Sequence, residues 1–123
     1  TVVSASAHTI DTEGITRAVA DSVYKGVRML APETVEVRIL LDGLLHAPPE
    51  YAQETIIRGD ATEPVISLAS IAAKVSRDRV MCELAKTFPE YGFEIHKGYG
   101  TKRHKEAIGS FGLCGEHRKT FCH

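Results

Sequence analysis

A long helical pattern between two prolines is the feature that most constrains how this chain can fold. Pro64 suits the first turn of a helix, where its missing N–H has no role, and Phe88-Pro89 stops the helix. Thr62 is predicted to cap this helix, and Glu63 to favour its positive dipole end. The sequence therefore predicts a helix from Pro64 to about Thr87. The apolar residues expected to supply most of its contacts are Leu68, Ile71, Ala72, Val75, Val80 and Leu84.

Shorter patterns on either side of this helix predict an α/β domain. Alternating apolar residues are typical of strands, and apolar residues every three to four positions are typical of helices. The remaining predicted elements are an edge or truncated strand at Val2–Ala7, a turn at Asp11–Gly14, a helix at Ile15–Leu30, a buried strand at Val35–Leu41, a loop at Leu44–Tyr51, a short strand at Glu54–Arg58, a loop at Pro89–Gly100, a short helix at Lys102–Gly109 and an irregular tail. Helices packed on a small sheet are the expected architecture.

The composition indicates a single globular domain in a reducing compartment. The 123 residues suffice for one domain at most, with 43% hydrophobic and 25% charged residues. No apolar run approaches the roughly 20 residues of a membrane span, so no membrane association is expected. Cys82, Cys114 and Cys122 form no CxxC pair, which favours reduced thiols in a cytoplasmic setting. The segment Cys114–His123 has poor ligand spacing for zinc, and no zinc site is predicted there.

Basic residues are concentrated towards the end of the chain. The net charge is only −1, which on its own does not indicate a nucleic-acid partner. From His96 to Lys119, however, six Lys or Arg residues stand against two Glu, and three histidines lie in the same window. This distribution is typical either of a phosphate-binding surface or of a solvated basic tail.

Two carboxylates occupy positions suited to a metal ion or a substrate. Asp42 directly follows a predicted buried strand, and ligands of open α/β sheets bind beyond the carboxyl ends of the strands. The dipeptide Asp42-Gly43 also fits an ordinary turn. Asp78 lies in the long helix, on the face that carries Ser70 and Lys74. It either faces a site or forms a surface ion pair with Lys74.

A tyrosine between two glycines is the most distinctive local motif. In the segment His96–Thr101, HKGYGT, the glycines permit a sharp bend that leaves the Tyr99 ring exposed. A stacked aromatic ring contributes roughly 1–3 kcal/mol per base in binding to single strands. Lys97 and its basic neighbours would supply phosphate contacts around that ring. The alternative is an ordinary turn anchored by the tyrosine.

Several motifs together resemble the ribonuclease HII (type 2 ribonuclease H) family. The AKVSRD and HKGYGT blocks at their relative spacing are highly specific to this family, whereas ILLDG alone is not. The motifs are ASIAAKVSRDRV, FPEYGFEIHKGYGT, KRHKEAIGSFG and EHRKTF, with ILLDG, the RGD at Arg58–Asp60 and the opening VVSASAHTID further upstream. The resemblance covers essentially the whole chain and implies a ribonuclease H-like layered α/β sheet with helices.

The resemblance also implies a metal-dependent endonuclease. Family members cut the RNA strand of RNA–DNA hybrids, or cut 5′ of a ribonucleotide embedded in DNA. They use two Mg²⁺ or Mn²⁺ ions held by four acids, a pair that activates a water and stabilises the leaving oxygen. Asp42 resembles the third of these catalytic, metal-binding acids, and Asp78 resembles the fourth. Tyr99 matches the tyrosine that stacks at the RNA–DNA junction. The other matching positions expected near the substrate backbone are Ser70, Lys74 and Arg118, beside the Lys97 contact expected from the local pattern.

The chain also departs from the family pattern. The family's Asp-Glu pair at the end of the first strand and its Gly-Arg-Gly loop are both missing from these residues. Gly14-Ile15 stands where Asn-Ile is usual, and Leu44-Leu45 replaces polar residues. We therefore expect residues 1–123 to be a single incomplete domain, the C-terminal two-thirds of the catalytic domain without its first strands. We expect this chain alone to be inactive.

Two other interpretations remain open. One is a non-catalytic nucleic-acid-binding fragment that uses the basic loop and Tyr99. The other is an orphan fragment that is stable only as an oligomer. Because the family's first strand is central in its sheet, its absence would expose an apolar edge beside Val35–Leu41 and favour self-association there.

Overall fold

The structure, a computed structural model, describes residues 1–34 and 36–122. Its regular elements are the helices α1 (Ala7–Glu13), α2 (Ile15–Leu30), α3 (Gly59–Thr62), α4 (Pro64–Thr87), α5 (Phe93–His96) and α6 (Lys102–Phe111), the strands β1 (Arg38–Asp42) and β2 (Ala52–Ile56), and 3-10 turns at Pro89–Tyr91 and Lys119–Phe121. Helices combined with a small parallel sheet confirm the α/β class predicted from the sequence. In the described ranges, no helix has the length and apolar character needed to span a bilayer.

The two long helices, α2 and α4, begin and end at the residues that the sequence predicts. Pro64 occupies the first turn of α4, and Phe88 follows its last residue. The predicted cap at Thr62 is wrong, because its hydroxyl donates instead to the carbonyl oxygen of Arg58 at 3.1 Å. Glu63 precedes the helix and makes no side-chain cap hydrogen bond. Proline at the first turn removes one of the N–H groups that a cap would otherwise satisfy.

The predicted strand at Val2–Ala7 is wrong, since Ala7 begins α1 and the residues before it have no regular structure. The Ser6 hydroxyl accepts a hydrogen bond from the backbone N–H of Thr9 at 3.0 Å. The cap gives a backbone N–H a hydrogen-bond partner within the same segment. In a strand, the backbone groups would instead need partners on a neighbouring strand. The turn predicted at Asp11–Gly14 is also wrong except for Gly14, whose φ of 85° separates α1 from α2.

The sheet consists of β1 and β2 in parallel, with Asp42 paired to Ile56 at its carboxyl end. Both predicted strands exist, with β1 ending one residue later than expected and β2 lying two residues earlier. Val35, predicted to start the first strand, lies outside the described residues. Within the described ranges, each of the two strands is therefore hydrogen-bonded to the other along one of its edges only.

A side chain of β2 holds the loop between the strands. The Gln53 amide oxygen accepts from the backbone N–H of Ala47 at 2.9 Å, and its nitrogen donates to the carbonyl oxygen of Pro48 at 3.1 Å. Pro48 is fully buried. The strands are thus joined by a loop at 43–51, which contains the loop predicted at Leu44–Tyr51, and not by a helix, although parallel strands usually have a longer, helical connection.

Buried side chains lie at both ends of α4. Ile66 is buried near its start, and Met81 is buried with Tyr91, Phe93 and Ala107 near its end. Because Tyr91 and Phe93 belong to that cluster, the predicted loop at Pro89–Gly100 contains a 3-10 turn and α5. The short helix predicted at Lys102–Gly109 extends to Phe111.

Most of the apolar face predicted to pack on the sheet is exposed. Leu84 packs against the Met81 cluster as expected. The other predicted contact residues are exposed, with Leu68 at 69% and Ile71 at 56% as examples. The predicted packing is therefore wrong for Leu68, Ile71, Ala72, Val75 and Val80. The two-stranded sheet is too small to cover a helix of 24 residues.

Candidate functional site

Asp42 is held at the carboxyl end of β1. Its Oδ1 accepts a hydrogen bond from the backbone N–H of Gly59 at 2.8 Å. Gly59 lies tightly against Ile66, since a Cβ on residue 59 would come within 2.6 Å of the Ile66 Cδ1 atom. Gly43 follows with a φ of 63°, so the predicted Asp-Gly turn is also present. The Asp42 carboxylate is therefore fixed relative to the start of α4.

Asp78 and Lys74 form an ion pair on α4. The Lys74 Nζ donates to Asp78 Oδ2 at 3.0 Å, and the Asp78 side chain is 31% exposed. The pKa of Lys74 is raised, first by the hydrogen bond to Asp78 and then by the charge of Asp78, with a smaller contribution from Tyr99. The ion pair that the sequence left open thus exists, and it keeps Lys74 charged beside the carboxylate.

The Tyr99 loop packs on the same helix. Gly98 has a φ of 83°, and a Cβ on this residue would lie 3.1 Å from Met81 Cε and 3.2 Å from Arg77 Nη2. Of the two glycines flanking Tyr99, only Gly98 uses a positive φ. The Tyr99 side chain is 68% exposed. The structure therefore packs the loop that carries this exposed ring onto the helix that holds the Lys74–Asp78 pair.

The other residues expected near the substrate differ in what they contact. Ser70 is exposed on α4, one turn before Lys74. Lys97 adopts a left-handed conformation, and its Nζ donates to the backbone carbonyl of Glu94. Arg118 places its guanidinium over the ring of Phe121, 4.4 Å from the ring centroid. Ser70 shares the helix with the Lys74–Asp78 pair, whereas Lys97 and Arg118 make local contacts of their own.

An open groove of about 470 Å³ lies beside Asp78 on α4. Its lining residues are Val75, Asp78, Arg79, Cys82 and Glu83. Sequence reasoning missed Arg79, Cys82 and Glu83. Cys82 lies four residues after Asp78, and Glu83 four residues after Arg79; this spacing, which places the members of each pair on one helix face, was the available signal.

The carboxylates fit a divalent cation in kind but not in number. Asp42 and Asp78 offer the oxygen ligands that Mg²⁺ and Mn²⁺ prefer. Asp42 is hydrogen-bonded to Gly59, and Gly59 packs against Ile66. Ile66 precedes Asp78 by about three turns of helix. Across residues 1–34 and 36–122, no group of three or more His, Cys, Asp or Glu side chains is arranged to hold a metal ion.

Three histidines without an assigned role in the sequence are buried together. His96, His104 and His117 are each 6% exposed. The rings of His96 and His104 stack with their centroids 4.2 Å apart. Their occurrence in one basic window was the only signal in the sequence, and it suggested a charged surface rather than a buried cluster. His123, the last residue of the segment weighed for zinc, lies outside the described residues.

Comparison with known proteins gives one consistent result. The ribonuclease HII family profile matches residues 1–123. The ribonuclease HII of Bacillus cytotoxicus is 48% identical over 118 residues, which cover 94% of this chain and 44% of that protein. That of Paracidovorax citrulli is 42% identical over 120 residues, covering 98% of this chain and 49% of the relative.

A third relative, the ribonuclease HII of a Synechococcus strain, is 46% identical over 121 residues and is covered to 59% of its length. The chain thus spans about half the length of the curated relatives it matches. The motifs, the α/β architecture and these matches agree, and the chain belongs to the ribonuclease HII family.

Proposed function

We propose that this chain forms part of a metal-dependent endonuclease that cuts the RNA strand of RNA–DNA hybrids, or cuts 5′ of a ribonucleotide embedded in DNA. The observation that carries the proposal is the Lys74–Asp78 ion pair on α4, together with the exposed Tyr99 of the loop that packs on the same helix. The Lys74 ammonium group can bind a phosphate, and the exposed Tyr99 ring can stack on a base or sugar at the junction. The Asp78 carboxylate can bind a divalent cation. Membership of the family supports the same function.

Each residue has a separate role in this proposal. Asp42 and Asp78 are two of the ligands for Mg²⁺ or Mn²⁺, and the others come from polypeptide outside residues 1–123. Divalent ions bound there would supply Lewis-acid chemistry for phosphodiester hydrolysis. Tyr99 stacks at the junction, where the 2′-OH distinguishes a ribonucleotide from its DNA neighbours. The residues proposed to contact the backbone are Ser70, Lys74, Lys97 and Arg118.

Hydrolysis of a labelled RNA–DNA hybrid in Mg²⁺ or Mn²⁺ tests the proposal. We expect negligible turnover by the 123-residue chain, because two carboxylates are too few ligands for hard cations. A fusion to the portion of the Bacillus cytotoxicus relative that this chain does not match should hydrolyse the hybrid. Asp42→Asn and Asp78→Asn should each abolish that activity. Undiminished activity in both variants would contradict the metal-ligand roles, and rapid turnover by the chain alone would contradict its inactivity.

A second candidate function is non-catalytic binding of nucleic acid by these 123 residues. The exposed ring of Tyr99 and the charge of Lys74 favour it, since neither residue needs a metal to contact a nucleic acid. Under this alternative, Tyr99→Ala weakens binding of the hybrid by the 123-residue chain, whereas Asp42→Asn combined with Asp78→Asn leaves that binding unchanged. Loss of turnover when the same double substitution is made in the fusion would assign the two carboxylates to catalysis and count against this alternative.

Self-association, expected from the sequence through an exposed sheet edge, is a further proposal, and the apolar face of α4 offers a second surface for it. Val65, Leu68, Ile71 and Val75 are all exposed, between 43% and 69%. Apolar residues at such spacing form a continuous stripe that a second copy of the chain can cover. A melting temperature that rises with protein concentration is expected. Leu68→Lys should remove this dependence, and Leu44→Lys, at an 87% exposed loop position, is the matched control.

A further inference from the structure

The buried histidines have a defined pattern of hydrogen bonds. His96 accepts at Nδ1 from the backbone N–H of Gly98, 3.1 Å away. Its Nε2 lies 2.7 Å from the carbonyl oxygen of Tyr91, which can only accept. A neutral ring has one donor and one acceptor nitrogen. These partners therefore assign the proton of His96 to Nε2.

The same reasoning assigns the protons of the other two rings. The backbone N–H of Cys114 donates to His117 Nδ1 at 3.0 Å, so the His117 proton is on Nε2. That Nε2 lies 3.0 Å from His104 Nε2, which must then accept. The remaining nitrogen of His104, Nδ1, donates to the carbonyl oxygen of Tyr99 at 2.9 Å. All three rings are neutral in this pattern, and each additional proton would bring two donors face to face.

The surroundings of the rings agree with neutral imidazoles. The pKa of His117 is lowered, first by burial and then by the neighbouring His104. Phe93 packs edge-on against His96 and His104, with ring centroids 5.9 and 5.7 Å away. Apolar walls of this kind disfavour a charged ring.

Two of these hydrogen bonds end on the backbone beside Tyr99. His96 receives the N–H of Gly98, and His104 donates to the carbonyl of Tyr99 itself. The peptide group before Gly98 and the one after Tyr99 are thus fixed from inside the molecule. The Tyr99 ring itself stays 68% exposed.

We propose that His96 and His104 are positioning residues for Tyr99, and that His117 fixes the tautomer of His104. The histidines touch no substrate. They hold the Gly98–Tyr99 backbone, and thereby the direction of the Tyr99 Cα–Cβ bond, before a nucleic acid arrives. The consequence for affinity is pre-organisation, because a loop that is already ordered loses less entropy on binding. This role in recognition rests on the proposed stacking function of Tyr99.

Ring-nitrogen NMR of the full 123-residue chain tests the proton assignments directly. At neutral pH we expect three neutral rings, with His104 protonated at Nδ1 and the other two at Nε2. A charged ring, or a His104 protonated at Nε2, would overturn the inference. This measurement needs no variant and no nucleic acid, so its result does not depend on the proposed function.

Two substitutions of His104 test the positioning role. In His104→Asn, the amide nitrogen can still donate to the Tyr99 carbonyl, whereas His104→Phe retains only the aromatic bulk. The probe is a fluorescent duplex with one ribonucleotide followed by DNA. We expect His104→Asn to bind it nearly as well as the unchanged chain, and His104→Phe to lose up to roughly tenfold in affinity, within the range of one stacked base. His8→Phe, at an exposed position of α1, is the matched control.

Binding by Tyr99→Ala separates the inference from the proposed function. If Tyr99→Ala weakens binding but both His104 variants bind equally well, the positioning role is wrong and the stacking role stands. If Tyr99→Ala binds normally while His104→Phe shifts the amide resonances of Gly98 and Tyr99, the histidines hold the loop and the stacking role is wrong. Should His104→Phe fail to fold, His96→Asn and His96→Ala give the same comparison, because the Asn carbonyl oxygen can still accept from Gly98.

Discussion

The carboxylate of Asp11 receives three hydrogen bonds from the C-terminal 3-10 turn, two of them from Thr120. The backbone N–H and hydroxyl of Thr120 donate to Oδ1 at 3.0 and 2.7 Å, and the N–H of Lys119 donates to Oδ2 at 2.8 Å. These bonds tie α1 to the turn that follows Arg118. The position of Arg118 therefore depends on a residue more than a hundred positions earlier in the chain.

Acid should release this turn. The pKa of Asp11 is lowered from its ordinary 3.8, chiefly by the backbone and side-chain hydrogen bonds from Thr120. Because the folded state holds the charged form, this contribution to stability is complete above pH 3.8 and is lost as the pH falls through the lowered pKa. Hydrogen exchange at Lys119 and Thr120 measures it. Asp11→Asn should speed exchange of both amides at neutral pH, and Asp21→Asn, which removes an exposed carboxylate of α2, should not.

A second pH effect should arise at His117, in a different range. Burial lowers its pKa below 6.5, so the unfolded chain takes up a proton that the folded chain resists. The contribution of neutral His117 to the free energy of unfolding should then be fully present above pH 6.5 and decrease as the pH falls below it. Urea unfolding at a series of pH values measures the decrease. His117→Gln should reduce this pH dependence, whereas His8→Gln on the surface should leave it unchanged; an equal dependence in both variants would contradict the assignment.

Lys74→Gln should weaken binding to a hybrid and reduce its salt dependence. One phosphate contact fewer lowers the slope of log affinity against log salt by about 1. Lys86→Gln is the matched control, because Lys86 lies on the same helix and forms a comparable exposed ion pair with Glu83. Fluorescence anisotropy at several salt concentrations gives both slopes. Equal slopes for the two variants would remove Lys74 from the binding surface.

Two Gly→Ala substitutions should change stability in opposite directions. At Gly59 the added Cβ would meet Ile66 at 2.6 Å, and Ile66 is buried, so we expect a loss of about 1–3 kcal/mol from overpacking. At Gly109 nothing lies within 4 Å of the added Cβ, and α6 should gain about 0.5–1 kcal/mol. Chemical denaturation measures both values. A stabilised Gly59→Ala variant would mean that Asp42 is held less tightly than its contact with Gly59 indicates.

Local signals in the sequence were sufficient for α2 and α4. Proline restricts the backbone wherever it occurs and so marks both ends of α4, and apolar periodicity persists along α2, so the bounds of both helices could be predicted. The first strand could not be excluded in the same way. The first residues of the chain fit either a strand or the segment before a helix. The outcome depends on whether Ser6 caps α1 or the backbone pairs with a neighbouring strand.

The candidate site was predictable only in part, for a physical reason. Lys74 and Asp78 are one turn apart, and helical geometry alone brings them together. The approach of Tyr99 to this pair depends on Gly98 packing against Met81, a tertiary contact. The burial of His96, His104 and His117 also follows from tertiary packing, since each imidazole finds its partner on another segment or beyond the next turn. The functional roles of all seven site residues stay predictions: Asp42, Asp78, Ser70, Lys74, Lys97, Tyr99 and Arg118.

The helix α4 sets both the distance and the relative orientation of the two ends of the candidate site. Ile66 is fixed at the Asp42 end and Met81 at the Tyr99 end. Insertion of one residue between them would rotate one end by about 100° and lengthen the helix by about 1.5 Å. Insertion of four residues would nearly restore the orientation but add about 6 Å. The spacing between the carboxylate and the aromatic ring is thus encoded as a number of residues, and within this helix a deletion or insertion should be far more damaging than a substitution.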